Sequence, residues 1–426
     1  MSIKQGQVSN IKPIAKSGTL LINELSLALN REGRDIIRFG FGQSPFSPPA
    51  EVISELQAAA MDHHYMPVQG DLALRERISG FYQDAMSLQF SPGSIYIGPG
   101  SKQLIYNFLS LFSKADLILV SPFWVSYEPQ GMFLGHRVIN IPSSYDNGWA
   151  LDPADFEKVC REETRSDVQR LLILNYPGNP SGMTYSEAQL KEIAAIARRY
   201  NVIVISDEIY GFLTHHEKPD SLYRYYPEGT VVTTGLSKWC GAGGWRLGVA
   251  MMSDDLNVLV SDSFLGLASE TYSCVSSPVQ VAAIEAYRYH SERQAYIAKQ
   301  NRILALIADY IVGRLKDSGV IVHRPDGGFY LYPCFSNFKD QFQKRGCLTS
   351  ESICQYILNQ AGVALLPGSA FGSDELTARL AYVDFDGRAC LSATDAELAD
   401  SEQFLSDYCP KILSGTAALL NLLAKL

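Results

Sequence analysis

A chain of 426 residues with 46% hydrophobic and 19% charged content can bury a large core and divides more naturally into two domains than one. Its formal net charge of −9, with no basic run, excludes the positive face that a nucleic-acid partner needs. No apolar stretch approaches the ~20 residues of a membrane span. The opening "MSIKQGQVSNIKPIAKSGTLL" has no continuous apolar segment with a small-residue cleavage site, so a cytoplasmic protein with no membrane partner is expected.

The first segment, to about Pro48, carries few strand signals. Then "SIYIGPGSKQLIYNFLSLF" reads as a strand, a Gly-Pro-Gly turn and a helix keeping Leu104, Ile105, Phe108, Leu111 and Phe112 on one face. The backbone N–H groups of Gly100, Ser101 and Lys102 fall at the positive end of that helix, where an anion is favoured; a plain strand-to-helix turn would read the same way. Neither GxxxxGK[ST] nor a GxGxxG between strand and helix is present, which leaves out the usual nucleotide loops.

Further strands follow in "DLILVS", "RVINI", "RLLILN", "NVIVIS", "TVVTTG" and "WRLGVAMM", with helical patterns between several of them. Continuous apolar strands of this kind predict a mostly parallel sheet covered on both faces, an α/β core. Asn179 follows one strand in the turn "NYPGNPSG", and Asp207 directly follows another in "NVIVISDEIYG". A strand-end carboxylate is costly unless it meets a cation or a set of donors, although a helix cap would satisfy it too. From about Ser277 one long helical pattern runs to a hairpin-like "VIVHRPDGGFYLYP", and the chain ends in the amphipathic "AALLNLLAKL", expected to dock as a terminal helix. We expect a large domain over residues 49–290 and a discontinuous small domain from 1–48 and 291–426.

Eight cysteines lack any CxxC pair or zinc-like spacing, which predicts free, buried thiols and no metal. The pairs His63–His64 and His215–His216 point their rings apart and chelate poorly.

The stretch "TTGLSKWCGAGGWRLG" shelters Lys238 and Arg246 among Gly, Trp and aliphatic residues, where burial disfavours the ammonium form and makes the lysine a nucleophile and base. An anion-binding turn, a strand-end acid, an asparagine in a rigid turn and this lysine–arginine pair together match a phosphate, a protonatable ring nitrogen, a ring hydroxyl and an aldehyde. That is the chemistry of pyridoxal 5'-phosphate.

At these residues the sequence resembles the class I/II aminotransferases, aspartate aminotransferase-like enzymes of pyridoxal-phosphate fold type I, from about Ile14 to Tyr382. "GLSKWCGAGGWRLG", "NYPGNPSG" and "SDEIY" are similar to the family's lysine signature, its Asn-Pro loop and its Asp-Glu-x-Tyr. The resemblance implies a large domain with a mostly parallel seven-stranded sheet beside a smaller α+β domain. It implies that Lys238 forms the internal aldimine and shuttles the Cα proton, that Asp207 keeps the pyridine nitrogen protonated, and that Tyr210 and Asn179 bond the ring hydroxyl. Gly100, Ser101, Lys102, Ser237 and Arg246 are then expected at the phosphate, with Trp124 of "SPFWVSY" stacked on the ring and Tyr65 of "YMPVQGDLALR" reaching the phosphate from the partner of a homodimer with shared sites. Arg379 of "ARLAYVDFDG" matches the arginine that grips the substrate carboxylate, with Gly42 and Asn179 beside it.

Two positions depart from the family pattern. Gly235 replaces a frequent phosphate-binding serine, whose contact is then lost or passes to Thr234 or Ser237, and Tyr127 stands where some members place a histidine behind the aspartate. The matching prolines predict cis bonds at Ser121–Pro122 and Asn179–Pro180. The activity implied is transfer of an amino group from an L-amino acid to a 2-oxo acid. A lyase or cyclising enzyme on the same scaffold, and a non-catalytic regulatory protein, are the alternatives. Glu270 in "LASETYSCVSS" reads either as a selector of basic donors or as a solvated acid.

Overall fold

The computed structural model describes residue 16, residues 18–215 and residues 220–426; Ile14, where the resemblance begins, and His216 lie outside them. The central sheet has seven strands: β2 (Ile95–Gly98), β3 (Ala115–Ser121), β4 (Arg137–Pro142), β5 (Gln169–Asn175), β6 (Val202–Asp207), β7 (Thr230–Gly235) and β8 (Gly248–Met251). Their order is β2-β8-β7-β6-β5-β3-β4. Only β8 runs against its neighbours. Every residue of β3 and β7 is buried, as strands covered by helices on both faces require.

Residues outside this sheet build two smaller ones. β1 (Ile37–Arg38) pairs in parallel with β10 (Val363–Ala364). β11 (Leu366–Pro367), β12 (Ala378–Ala381) and β9 (Tyr330–Leu331) form an antiparallel sheet in that order. The two ends of the chain therefore meet, and the C-terminal helix Pro410–Leu423 docks through buried Ile412, Leu419 and Leu423.

Three sequence expectations change here. "WRLGVAMM" is a strand only from Gly248, because Arg246 takes the left-handed backbone at φ 57 and cannot continue a pleat. The long helical pattern splits into Ser277–Ala286 and Ser291–Asp317, because His290 is extended at φ −136, ψ 173. The fully buried Arg293 then turns back onto Glu51 and onto the Glu285 carbonyl. "VIVHRPDGGFYLYP" keeps a single bridge, Ile321 to Cys334, since Tyr330 and Leu331 pair with β12 instead.

The carboxyl ends of β5, β6 and β7 lie in one row, with Asn175 opposite Asp207 and Asp207 opposite Thr233. Sheets of this type gather ligands at that edge. Close backbone contact fixes the neighbouring turn: Gly235 faces Gly248 across β7 and β8, and Gly248 packs on the backbone of Gly100 and Ser101 at the start of the helix Ser101–Ser110. A Cβ at 235 would lie 2.5 Å from the Leu247 carbonyl oxygen, so a serine has no room there. A Cβ on Gly248 would collide with the Gly100–Ser101 peptide. We expect Gly248→Ala to destabilise the fold by ~1–3 kcal/mol, the usual penalty of overpacking. Urea denaturation reads this, and an unchanged midpoint would show that the contact yields freely.

Candidate active site

At the carboxyl edge of the sheet a cleft of about 440 Å³ collects Gly42, Ser101, Lys102, Trp124, Asn179, Asp207, Tyr210, Ser237, Lys238, Arg246 and Arg379. Those sequence-predicted residues come from the segments after β1, β3 and β5, the end of β6 and the turn beyond it, the segment between β7 and β8, the helix Ser101–Ser110 and β12, so only folding unites them. Gly100 caps that helix at φ 93 with no side chain of its own. A Cβ on it would strike the Arg246 guanidinium, so a glycine is needed for both the backbone and the arginine.

Lys238 is half-buried at the cleft wall, and its Nζ donates to the Gly42 carbonyl at 2.8 Å. Burial pushes its pKa down to about 7; Arg379 adds to this, while Asp207 opposes it. Asp207 accepts from the Tyr127 hydroxyl at 2.6 Å and from Thr233 Oγ1 at 3.4 Å. Burial still raises its pKa to about 6 against those hydrogen bonds. Tyr127 thus occupies the place behind the aspartate that its sequence position implied.

Arg379 is 1% exposed. Its Nη1 donates to Asn179 Oδ1 at 2.9 Å and its Nη2 to the Gly40 carbonyl at 2.7 Å. Its guanidinium lies over the rings of Tyr330 and Phe371 at 4.7 and 5.2 Å, and Nε is buried without a partner. Arg246 donates only to the carbonyls of Gly243 and Pro99. The Lys102 ammonium sits over the Trp124 ring at 4.8 Å, its pKa lowered by burial and by Arg246. Among the described residues none of Lys102, Lys238, Arg246 and Arg379 is in an ion pair. Buried Arg379, half-buried Lys238 and the more exposed Lys102 and Arg246 line one cleft with the buried Asp207, a site that favours anionic ligands. The donor set fits pyridoxal phosphate: a helix N-terminus with Arg246 for the phosphate, Asp207 for a ring nitrogen and an unprotonated amine for an aldehyde.

Some expectations fall elsewhere. Tyr65 is 92% exposed and does not line this chain's cleft. Glu270 is exposed, with Ser269 Oγ as its hydrogen-bond donor, and is likewise outside it. Of the two heirs proposed for the missing serine, Ser237 lines the cleft, whereas Thr234 is buried away from it. Ser121–Pro122 is cis, but the second cis bond is Tyr176–Pro177, not Asn179–Pro180. The loop beyond it closes through backbone bonds between Gly178 and residues 182 and 183, which set Asn179 in place. Sequence reasoning also passed over Asn175 and Tyr330, both in the cleft. Asn175 takes the Asn179 amide hydrogen at 2.8 Å and donates to the Asp207 carbonyl at 2.8 Å; its place in "NYPGNPSG" was the available signal, whereas Tyr330 carried none.

Residues 34–400 match the family described as aminotransferase class I and II. The chain is 30% identical over 385 residues to an aspartate aminotransferase of Geobacillus stearothermophilus, covering 87% of this chain and 93% of that one. It is 30% identical over 387 residues to a bifunctional aspartate aminotransferase and glutamate/aspartate-prephenate aminotransferase of Petunia hybrida, covering 88% and 78%. The fold is similar to the aspartate aminotransferase of Thermus thermophilus solved with maleate, with a TM-score of 0.79 at 24% identity over 95% of this chain and 100% of that one.

The depressed Lys238 pKa has a direct signature. In cofactor-free protein the rate of reductive methylation at Lys238 should climb with pH and level off above about 7, where the amine has lost its proton. Exposed lysines should keep accelerating toward pH ~10. Peptide mapping across the pH series distinguishes the two, and a Lys238 profile like the others would refute the assignment.

Proposed function

The chain belongs to the class I and II aminotransferase family, and we propose that it takes its amino group from an acidic amino acid of the aspartate kind. It is a pyridoxal-phosphate-dependent aminotransferase, for which the lyase, cyclase and regulatory readings are not favoured. The observation that carries the donor proposal is the set of cleft-lining cations without ion-pair partners among the described residues. Arg246 and the helix N-terminus suit the phosphate and Arg379 suits an α-carboxylate, which leaves the Lys102 ammonium over Trp124 to attract a further negative group. Relatives that transaminate aspartate support the same reading.

When bound, pyridoxal phosphate supplies an aldehyde that takes up the amino group and a pyridinium ring that accepts the electrons of the Cα–H bond. Lys238 Nζ, its pKa lowered to about 7 so that a free amine is populated near neutral pH, would take the Cα proton and return it. Asp207 holds a proton at the ring nitrogen, and Tyr127 keeps that carboxylate oriented. Backbone N–H groups of Gly100, Ser101 and Lys102, the Ser237 hydroxyl and Arg246 would hold the phosphate, Trp124 would pack on the ring, and Tyr210 with Asn179 would bond its hydroxyl. Arg379, with Gly42 and Asn179, orients the α-carboxylate and so fixes the Cα–H bond relative to the ring. These residue roles are proposals built on the cleft geometry.

The division into domains of residues 49–290 and of 1–48 with 291–426 is likewise proposed, supported by the pairing of β1 with β10. A homodimer is supported by the exposure of Met61, Tyr65, Val258 and Leu259, apolar and aromatic side chains that a partner would cover. No helix among the described residues is long and apolar enough to cross a membrane, which suits a cytoplasmic location.

The deciding experiment is steady-state kinetics with a panel of donors against 2-oxoglutarate and pyruvate, reading both the keto product and any ammonia. Aspartate should lead with no ammonia released; a preferred basic or neutral donor would overturn the acidic reading. Arg379→Ala should lose ~2–5 kcal/mol in kcat/KM, as truncating one partner of a buried charge pair does. Arg379→Lys should be impaired almost as much, because an ammonium cannot reproduce two parallel hydrogen bonds, and the bound-cofactor absorbance should persist in both. Sedimentation should give twice the 47.1 kDa chain mass; a fully active monomer would contradict shared sites.

A further inference from the structure

The Tyr330 side chain touches three functional groups at once. It projects from β9, is 1% exposed and lines the cleft. Its hydroxyl lies 2.8 Å from the Tyr210 hydroxyl and faces the Gly42 carbonyl at 3.5 Å, the oxygen that also receives Lys238 Nζ at 2.8 Å. Its ring lies beneath the Arg379 guanidinium at 4.7 Å. The fit around the phenol is tight, since any Cβ on Gly42 would overlap its oxygen.

The bond between the two hydroxyls can run either way, and one direction also lets Tyr330 use the Gly42 carbonyl. A carbonyl only accepts, so the Tyr330 proton is directed to Gly42, and the Tyr330 oxygen is left to accept from Tyr210. The chain then runs Tyr210 O–H to Tyr330 O–H to Gly42 C=O, with Lys238 donating to the second lone pair of the same carbonyl. In that arrangement Tyr210 has its proton committed to Tyr330, and toward the cleft its oxygen can only accept.

We propose that Tyr330 is a positioning residue with two separable parts: its hydroxyl orients Tyr210 and shares the Gly42 carbonyl with Lys238, and its ring holds the Arg379 guanidinium for the substrate carboxylate. This rests on the aminotransferase reading of the cleft. The ring acts by cation–π attraction, which holds the planar guanidinium face-on while its edge stays free to fork onto a carboxylate. The hydroxyl acts on proton position in a water-poor site, where the orientation of one donor is felt by its neighbours. The charged and titratable groups facing this set are Asp207 from β6, Arg379 from β12, Lys102 from the helix Ser101–Ser110, and Arg246 and Lys238 from the segment between β7 and β8.

The test compares Tyr330→Phe with Tyr330→Leu in the pyridoxal-phosphate-loaded protein. Tyr330→Phe keeps the ring and removes the hydroxyl, freeing the Tyr210 proton for the ring oxygen of the cofactor. Its deprotonated form is then favoured, and the pH midpoint of the visible band in the substrate-free protein should fall by about half to one unit, the worth of one hydrogen bond. KM for the donor should stay within about twofold. Tyr330→Leu removes both parts, so the same midpoint shift should be joined by a KM rise of about threefold to thirtyfold, the worth of a cation–π contact. An unmoved midpoint in Tyr330→Phe would overturn the hydroxyl role, and an unmoved KM in Tyr330→Leu would overturn the ring role. If Tyr330→Leu loses its fold on melting, Tyr330→Trp, which keeps a π face without the hydroxyl, serves instead: KM is retained only if the ring role holds. Wild-type protein without transaminase activity would instead count against the functional reading, whatever these midpoints do.

Discussion

An ammonium taken out of water into the floor of the cleft loses hydration that a single carbonyl cannot replace. Lys238 is largely in that position, half-buried at the cleft wall with the Gly42 carbonyl as its hydrogen-bond acceptor, and the surrounding structure follows from it. The lysine can remain there because it is able to shed its proton. Buried Arg379 cannot do so, and it stays ionised because the Asn179 and Gly40 oxygens and an aromatic face receive its guanidinium, whereas Arg246 is open to water. Asp207 is the countercharge on the other side, itself held by Tyr127 and Thr233. Unpaired cations packed this way favour whatever brings negative charge to them, which links the burial pattern directly to phosphate and carboxylate recognition.

Backbone contacts with no room for side chains set the geometry. Gly235, Gly248 and Gly100 let β7, β8 and the start of the helix Ser101–Ser110 approach until Arg246 packs against Gly100 itself. The missing serine at 235 therefore reflects strand-to-strand distance. Asn175 performs the corresponding task at the next strand ends, joining the Asn179 amide to the Asp207 carbonyl. Acid, asparagine and arginine are thereby held in one frame.

Groups from both ends of the chain complete the cleft. Gly42 follows β1, while Tyr330 and Arg379 belong to β9 and β12, and β1 pairs with β10. The carbonyl that receives Lys238 and the guanidinium above Tyr330 therefore reach the sheet edge only because the N- and C-terminal segments pack together. Tyr65 faces outward, a disposition that a second subunit would complete.

The sequence alone determined the local parts. Runs such as "DLILVS" and "RLLILN" are apolar through their four central positions, and a strand buried on both faces uses such a run, so the α/β sheet was legible. Lys238, Asp207, Asn179 and Arg246 were legible because polar side chains among glycines and aliphatics stand out from their context. Tertiary structure decided what depends on distance between remote segments. Tyr330 reads as one more core aromatic until β9 sets it beside Tyr210, 120 residues earlier in the chain. The left-handed Arg246 that shortens β8 and the break before Ser291 answer to packing that periodicity does not record. The pKa values of Lys238 and Asp207 arise from desolvation, a property of the enclosed cleft and not of any one stretch of chain.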